Sequence, residues 1–268
     1  MRYGAASAFV LGCAVLSGCA SNPAPAPIPP QPSRAVALGL NDGFHGPLPP
    51  AIVSRYCGPI TIRTPQLSGP ALDAYLASVA SCPQFQTLAL VENPDAALAA
   101  QLSARSVQMI ELGNELELAP NNLTPQQYAS FTAAAFAAIR AVNPSVTIIT
   151  GGVYTLDADT KARILAALAV CPGCWVGVHL YEPLPQSDLD WLAALPTHIA
   201  VTETGFPTRC DPVRLPQQEA FLQGQINQLS TVPNVALIVI YQRADGSSCS
   251  DLDTFGIAAK PAESLLPH

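Results

Sequence analysis

The sequence predicts a (β/α)8 barrel of near-minimal size with short loops, on three observations. Short Val/Ile/Leu-rich runs alternate eight times with longer Ala/Leu-rich stretches of helical character. The short runs are almost continuously apolar, as strands buried on both faces of a parallel sheet must be. The whole series fits within residues 34–268, close to the usual length of such a barrel.

The elements follow in order. RAVALGLND (34–42) reads as a strand and PPAIVSRYC (49–57) as a short helix. PITIRTPQ (59–66) precedes the helix SGPALDAYLASVASC (68–82), and FQTLALVEN (85–93) precedes PDAALAAQLSAR (94–105). VQMIELGNE (107–115) leads to the long helix TPQQYASFTAAAFAAIRAVNP (124–144). VTIITGGVY (146–154), WVGVHLYEP (175–183) and HIAVTETGFPT (198–208) are strands, each followed by a helix, over 157–171, 187–195 and 215–230. VALIVIYQRAD (235–245) is the last strand, and KPAESLLPH (260–268) supplies the closing helix. Thr124, Asp157 and Ser187 stand where helix N-caps belong, with Pro125 at the first helical position of its helix. The rival architecture, a doubly wound open sheet, calls for a Gly-rich fingerprint after its first strand. Here that strand runs into GLNDGFHG, whose glycine spacing is wrong.

Composition narrows the function. Apolar residues make up 49% and charged residues 12%, ample for one large core. A net charge of −7 with only 12 Lys+Arg offers no phosphate-binding face, which argues against nucleic acid. A monomer is expected.

The first 33 residues read as targeting and tether. Arg2 precedes an apolar stretch from about Ala5 to Leu16, too short to span a bilayer as a mature helix. LSGC (16–19) resembles the bacterial lipoprotein lipobox, which implies a signal peptide over 1–18 and lipidation of Cys19. The alternative is an ordinary secretory signal. SNPAPAPIPPQPS, within 19–33, is a semi-rigid Pro-rich spacer. The folded domain is expected over 34–268, lipid-anchored at the cell envelope, on the periplasmic side or at an outer membrane.

Beyond Cys13 and Cys19, six cysteines remain, an even number that suits disulfides in an exported chain. CPGC (171–174) admits a redox motif, half a zinc site or a local bridge. Nothing thioredoxin-like surrounds it and no second ligand pair is evident, so a Cys171–Cys174 bridge is the better reading. In a barrel, Cys57 and Cys82 end adjacent helices at one rim, and Cys210 and Cys249 follow adjacent strands at the other. Pairings Cys57–Cys82 and Cys210–Cys249 follow.

Barrel active sites lie at the C-terminal strand ends. The polar residues there are Asn41 and Asp42, Arg63, Glu92 and Asn93, Asn114 and Glu115, Tyr154, then His179, Tyr181 and Glu182, Glu203, and Tyr241, Gln242 and Arg243. Glu115 and Glu203 end strands four and seven, facing each other across the mouth. A carboxyl pair flanking a bond is what glycosidic cleavage needs. Glu111, four residues before Glu115, is expected to pair inside the barrel with Arg63 or His179. Glu92, Glu117 and Glu182 read as solvated or loop charges.

IELGNE followed by VTETGFPT resembles clan A of the glycoside hydrolases, retaining (β/α)8 β-glycosidases, with similarity to families seventeen, thirty-nine and fifty-three. HLY on strand six, IRTP on strand two and the closing DTFGIAAKPA resemble further clan features, over about residues 34–265. The resemblance implies Glu115 as acid then base and Glu203 as nucleophile. A general acid of this kind needs a raised pKa to donate near neutral pH. It implies Arg63 and Tyr181 on Glu203, Asn114 at the sugar 2-hydroxyl and His179 at the floor of the site. It implies a carbohydrate substrate and no cofactor or metal. The clan's strand-eight Trp is missing, with Tyr241 or Gln242 in its place; Tyr154 and Tyr241 are candidate stacking surfaces. Aromatics are only 6% of the chain, against a long cleft for many sugar units. The alternative is a non-catalytic carbohydrate-binding or envelope-assembly lipoprotein on the same scaffold.

Overall fold

The computed structural model describes residues 36–41, 47–64, 67, 69–242, 255–258 and 260–266. The leader, Cys19, the Pro-rich spacer, Asp42, Arg243 and Cys249 lie outside the described residues.

Eight strands form one parallel sheet: β1 (Ala37–Asn41), β2 (Thr61–Arg63), β3 (Gln86–Val91), β4 (Met109–Asn114), β5 (Thr147–Gly152), β6 (Val176–Leu180), β7 (Ile199–Thr204) and β8 (Val235–Ile240). Their spatial order is β5-β4-β3-β2-β1-β8-β7-β6. The ring is joined between β5 and β6: Thr150 N donates to Trp175 O at 2.9 Å, and His179 N to Val153 O at 2.8 Å. This is the (β/α)8 barrel that the alternation predicts. The strands are shorter than the apolar runs; β2 spans three residues, Thr61–Arg63.

Between the strands run α1 (Pro50–Tyr56), α2 (Gly69–Ala80), α3 (Ala96–Ser103), α4 (Pro125–Val142), α5 (Ala158–Val170), α6 (Gln186–Ala193) and α7 (Leu215–Ser230). Thr124 and Gln127 form a reciprocal capping box on α4, and Asp157 accepts from Thr160 N at 2.8 Å on α5. Ser187 does not cap α6. That helix starts one residue earlier, with Pro185 as N-cap and no side-chain cap bond. The Pro185 carbonyl receives Asp188 N and Leu189 N, so the first turn closes on backbone alone. The eighth unit ends not in an α-helix but in a 3-10 turn, Pro261–Leu265. Its Glu263 accepts from both Arg55 and Tyr56 of α1, tying the last unit to the first.

Helix faces pack on the sheet through Leu72, Leu102, Ile139, Ile164, Leu192 and Leu222. Inside the ring, Leu88, Met109, Ile149, Ala200, Leu237 and Val239 form an apolar layer. The side chains nearer the C-terminal strand ends are polar, and there the site lies. Cys57 and Cys82 are bridged with Cα atoms 5.6 Å apart, and Cys171 and Cys174 are bridged at 5.5 Å. Cys210 is disulfide-bonded.

Candidate active site

Arg63 ends β2 almost wholly enclosed, at 1% exposure. Its Nε donates to Glu111 Oε2 at 2.5 Å, Nη1 to Glu203 Oε1 at 2.5 Å, and Nη2 to Asn114 Oδ1 at 2.9 Å. One guanidinium therefore ties β2 to β4 and β7. A buried ion is tolerable only when paired and fully hydrogen-bonded, and here the planar fork meets three acceptors.

Glu111 does not choose between the two expected partners; it has both. Besides Arg63, its Oε1 accepts from Gly152 N at 3.0 Å and Thr202 Oγ1 at 2.7 Å, and faces His179 Nε2 at 3.7 Å. At that distance the His179 contact is an ion pair rather than a hydrogen bond. Burial alone would raise the Glu111 pKa. The Arg63 charge and His179 overcome it and hold the carboxyl at about 2.

His179 is fully buried, so it lies beneath the site instead of presenting a floor to a sugar. Its Nδ1 sits 2.9 Å from Glu115 Oε1 and 3.8 Å from Glu203 Oε2. Burial pulls its pKa down, but the charge on Glu203 and the carboxylates of Glu111 and Glu115 lift it to about 9. A protonated His179 donates from Nδ1 to Glu115.

Glu203 is held on both oxygens. Oε1 receives Arg63 and, at 3.5 Å, Asn41 Nδ2; Oε2 receives the Tyr181 hydroxyl. Burial and the Glu203 charge push the Tyr181 phenol well above its usual range, so it stays a donor. Glu115 is more open, with a quarter of its side chain exposed. An oxygen of Glu115 and an oxygen of Glu203 lie within 4.8 Å of each other, with His179 between them. Glu115, His179 and Glu203 have the spacing of a cation site. The donors do not fit one: a ligating His must be neutral, and both Glu203 oxygens already accept from protein groups.

Local backbone aims these side chains. Gly113 has φ 104°, and a Cβ there would meet Leu116 Cδ1 at 2.3 Å. Glu115 itself has φ 49°, outside strand geometry, and its N donates to Gly152 O at 2.8 Å. Register shifts between Val178 and His179, and between Val201 and Thr204, re-aim His179 and Glu203.

An aromatic wall encloses the β5–β8 side. The Tyr181 ring lies 5.9 Å from Tyr154, 6.1 Å from Tyr241 and 5.4 Å from Phe255. Tyr241 thus occupies the strand-eight position, with Phe255 against it at 5.4 Å. The structure therefore gathers Arg63, Asn114, Glu115, His179, Tyr181, Glu203 and Tyr241 at one end of the barrel.

Asn41, named above as a polar strand end, receives its role only here, on Glu203. Gly152, Thr202 and Phe255 are not singled out by the sequence; a glycine or threonine inside an apolar strand gives no such signal. Glu92 and Glu182 are exposed, as loop charges are. Glu117 is not: it is only 8% exposed, with Oε1 accepting from Tyr154 N and Oε2 buried without a partner. Its reading as a solvated charge is corrected, because the carboxyl turns inward onto the backbone N of Tyr154, just past β5.

No known protein family matches the sequence, and no curated protein matches it. The fold is similar to solved glycoside hydrolases. An exo-β-1,4-mannosidase from Opitutaceae bacterium strain TAV5 aligns at TM-score 0.62 and 15% identity, over 87% of this chain and 58% of that one. A family 39 glycoside hydrolase from the gut symbiont Bacteroides cellulosilyticus WH2 aligns at 0.59 and 16%, over 86% and 62%. A β-glucuronidase from Ruminococcus gnavus aligns at 0.59 and 15%, over 86% and 48%. At these identities the likeness is one of fold. The chain spans about half to three-fifths of those enzymes' length.

Proposed function

We propose that this barrel is a retaining β-glycoside hydrolase acting by double displacement. The observation that carries the reading is the Glu115–Glu203 pair, whose oxygens approach within 4.8 Å. Retaining pairs stand about 5–5.5 Å apart, whereas inverting pairs need roughly 6.5–9.5 Å to admit a water.

In the first step a Glu203 oxygen bonds to the anomeric carbon as the bond to the leaving oxygen breaks. Glu115 gives its proton to that oxygen. Arg63 and Tyr181 orient Glu203, and Arg63 also holds Asn114 Oδ1, which leaves Nδ2 for the 2-hydroxyl. His179 donates to Glu115 Oε1, steadying the carboxylate that forms once the proton has left. In the second step a water attacks the anomeric carbon. Glu115 takes its proton, and Glu203 departs with the configuration retained.

The test is a screen of the mature chain against aryl β-glucosides, β-mannosides, β-glucuronides and β-glucans, with the product anomer read by NMR. Glu203→Gln should lower kcat at least ~10³-fold. Full activity in that variant refutes the assignment. Carbohydrate binding without turnover would select the non-catalytic reading. We infer also that the chain is exported and anchored through Cys19. Labelled palmitate should enter the wild type and not Cys19→Ala.

A further inference from the structure

Around Glu115 the chain inverts the usual solvation rule. The acid Glu117 is buried, while Leu118 is 38% exposed and Tyr154 47% exposed. A buried carboxyl with one unpartnered oxygen is costly, and burial pushes the Glu117 pKa up. Such a local conflict marks a working position more often than an error of folding.

What Glu117 does is visible in its one strong contact. Its Oε1 accepts from the backbone N of Tyr154, the residue two beyond the end of β5. Glu115 directly follows β4, yet its carboxyl meets His179 of β6. The backbone N of Glu115 donates to Gly152 O at 2.8 Å, two residues before Tyr154, so the acid lies against the end of β5. Gly152 keeps that crossing open: a Cβ there would lie 2.0 Å from His179 Nε2. The Tyr154 ring stands against that of Tyr181, whose hydroxyl donates to Glu203, and is half exposed to solvent.

Resting on the hydrolase reading, we propose that Tyr154 is the platform for the leaving group and that Glu117 is the positioning residue that holds it there. The ligand chemistry is a flat ring with an apolar face, either the C–H face of a second pyranose or an aryl aglycone. An aromatic ring fixed in advance contributes contact area at little ordering cost. No bond is made or broken at this platform.

The experiment uses the mature chain and the glycone identified in the screen. It compares kcat/KM for the p-nitrophenyl glycoside and the corresponding disaccharide with kcat/KM for the glycosyl fluoride, which has no ring in the leaving group. Tyr154→Ala should lower both ring-to-fluoride ratios about tenfold, as loss of one stacked ring does, mainly through KM. Glu117→Ala should do the same, and Glu117→Gln, which keeps the acceptor, should restore the ratios. A fall for only one of the two ring substrates identifies which source the platform serves. Ratios within twofold of wild type in Tyr154→Ala overturn the proposal, as does an equal loss on fluoride and ring substrates. Tyr154→Ala removes a half-exposed side chain, so it decides the matter even if Glu117→Ala fails to fold. Wild-type protein that turns over none of these substrates refutes the hydrolase reading itself, a result distinct from turnover blind to the leaving group.

Discussion

Replacing Arg63 by Met is the sharpest physical test of the site, because the shape is nearly kept and the charge is lost. Arg63 is enclosed between Glu111, which has no exposure, and Glu203. Removing one partner of a buried ion pair costs about 3–5 kcal/mol, since the other charge is left uncompensated. The Glu111 pKa points the same way: burial would raise it, yet Arg63 and His179 together hold it at about 2 against 4.5 in the unfolded chain. For a chain of this size 1 kcal/mol moves Tm by about 2–4 °C, so the loss should be about 10 °C at pH 7. The assay is differential scanning calorimetry under non-reducing conditions. A depressed carboxyl pKa contributes stability above the unfolded value of 4.5, lost as pH falls towards 2. The Tm gap between wild type and Arg63→Met should therefore narrow across that window. A drop below about 3 °C at pH 7, or a gap that stays constant down to pH 2, would show that packing and not charge pairing holds this centre.

Two further outcomes follow from the same network. His179 is raised from 6.5 to about 9 on folding, so its contribution is complete below 6.5 and disappears as pH rises through 9. Urea unfolding at pH 6 and pH 9.5 should differ by up to about 3 kcal/mol in the wild type and by much less in His179→Asn; equal pH dependence in the two proteins contradicts the raised value. Gly152→Ala would put a Cβ 2.0 Å from His179 Nε2 and 2.7 Å from Glu111 Oε1. Overpacking of this kind costs about 1–3 kcal/mol, so Tm should fall by several degrees and kcat with it, whereas a wild-type Tm would mean the crossing has slack.

Where the sequence could be read and where it could not divides on one physical line. Strand and helix existence rests on periodicity and burial, which each segment carries within itself, and all eight strands stand where their apolar runs lie. Failures came where the outcome depends on a neighbour. Ser187 looks like a cap in isolation, but Pro185 starts the helix first. KPAESLLPH looks helical, yet two prolines leave room only for a 3-10 turn held by α1. The same division runs through the site. Polar residues at apolar strand ends are conspicuous in sequence, because no packing argument explains them. Their direction is not, since it depends on left-handed φ at Gly113 and Glu115 and on register shifts in β6 and β7. Strict alternation would send Thr202 and Glu203 to opposite faces. The shift lets Thr202 reach Glu111 while Glu203 reaches Arg63.

That geometry also explains why an acidic core of this kind is stable at all. Three carboxyl groups, Glu111, Glu115 and Glu203, crowd around His179, and burying such groups without partners would be costly. Arg63 and protonated His179 supply the positive charge that faces them: Arg63 meets Glu111 and Glu203, and His179 lies within 3.8 Å of all three. Glu115 is the one of the three carboxyls that water reaches best, a quarter exposed where Glu111 is enclosed and Glu203 nearly so. Solvent access thus singles out the residue that the proposed double displacement requires to pass a proton to the leaving group and to take one from water.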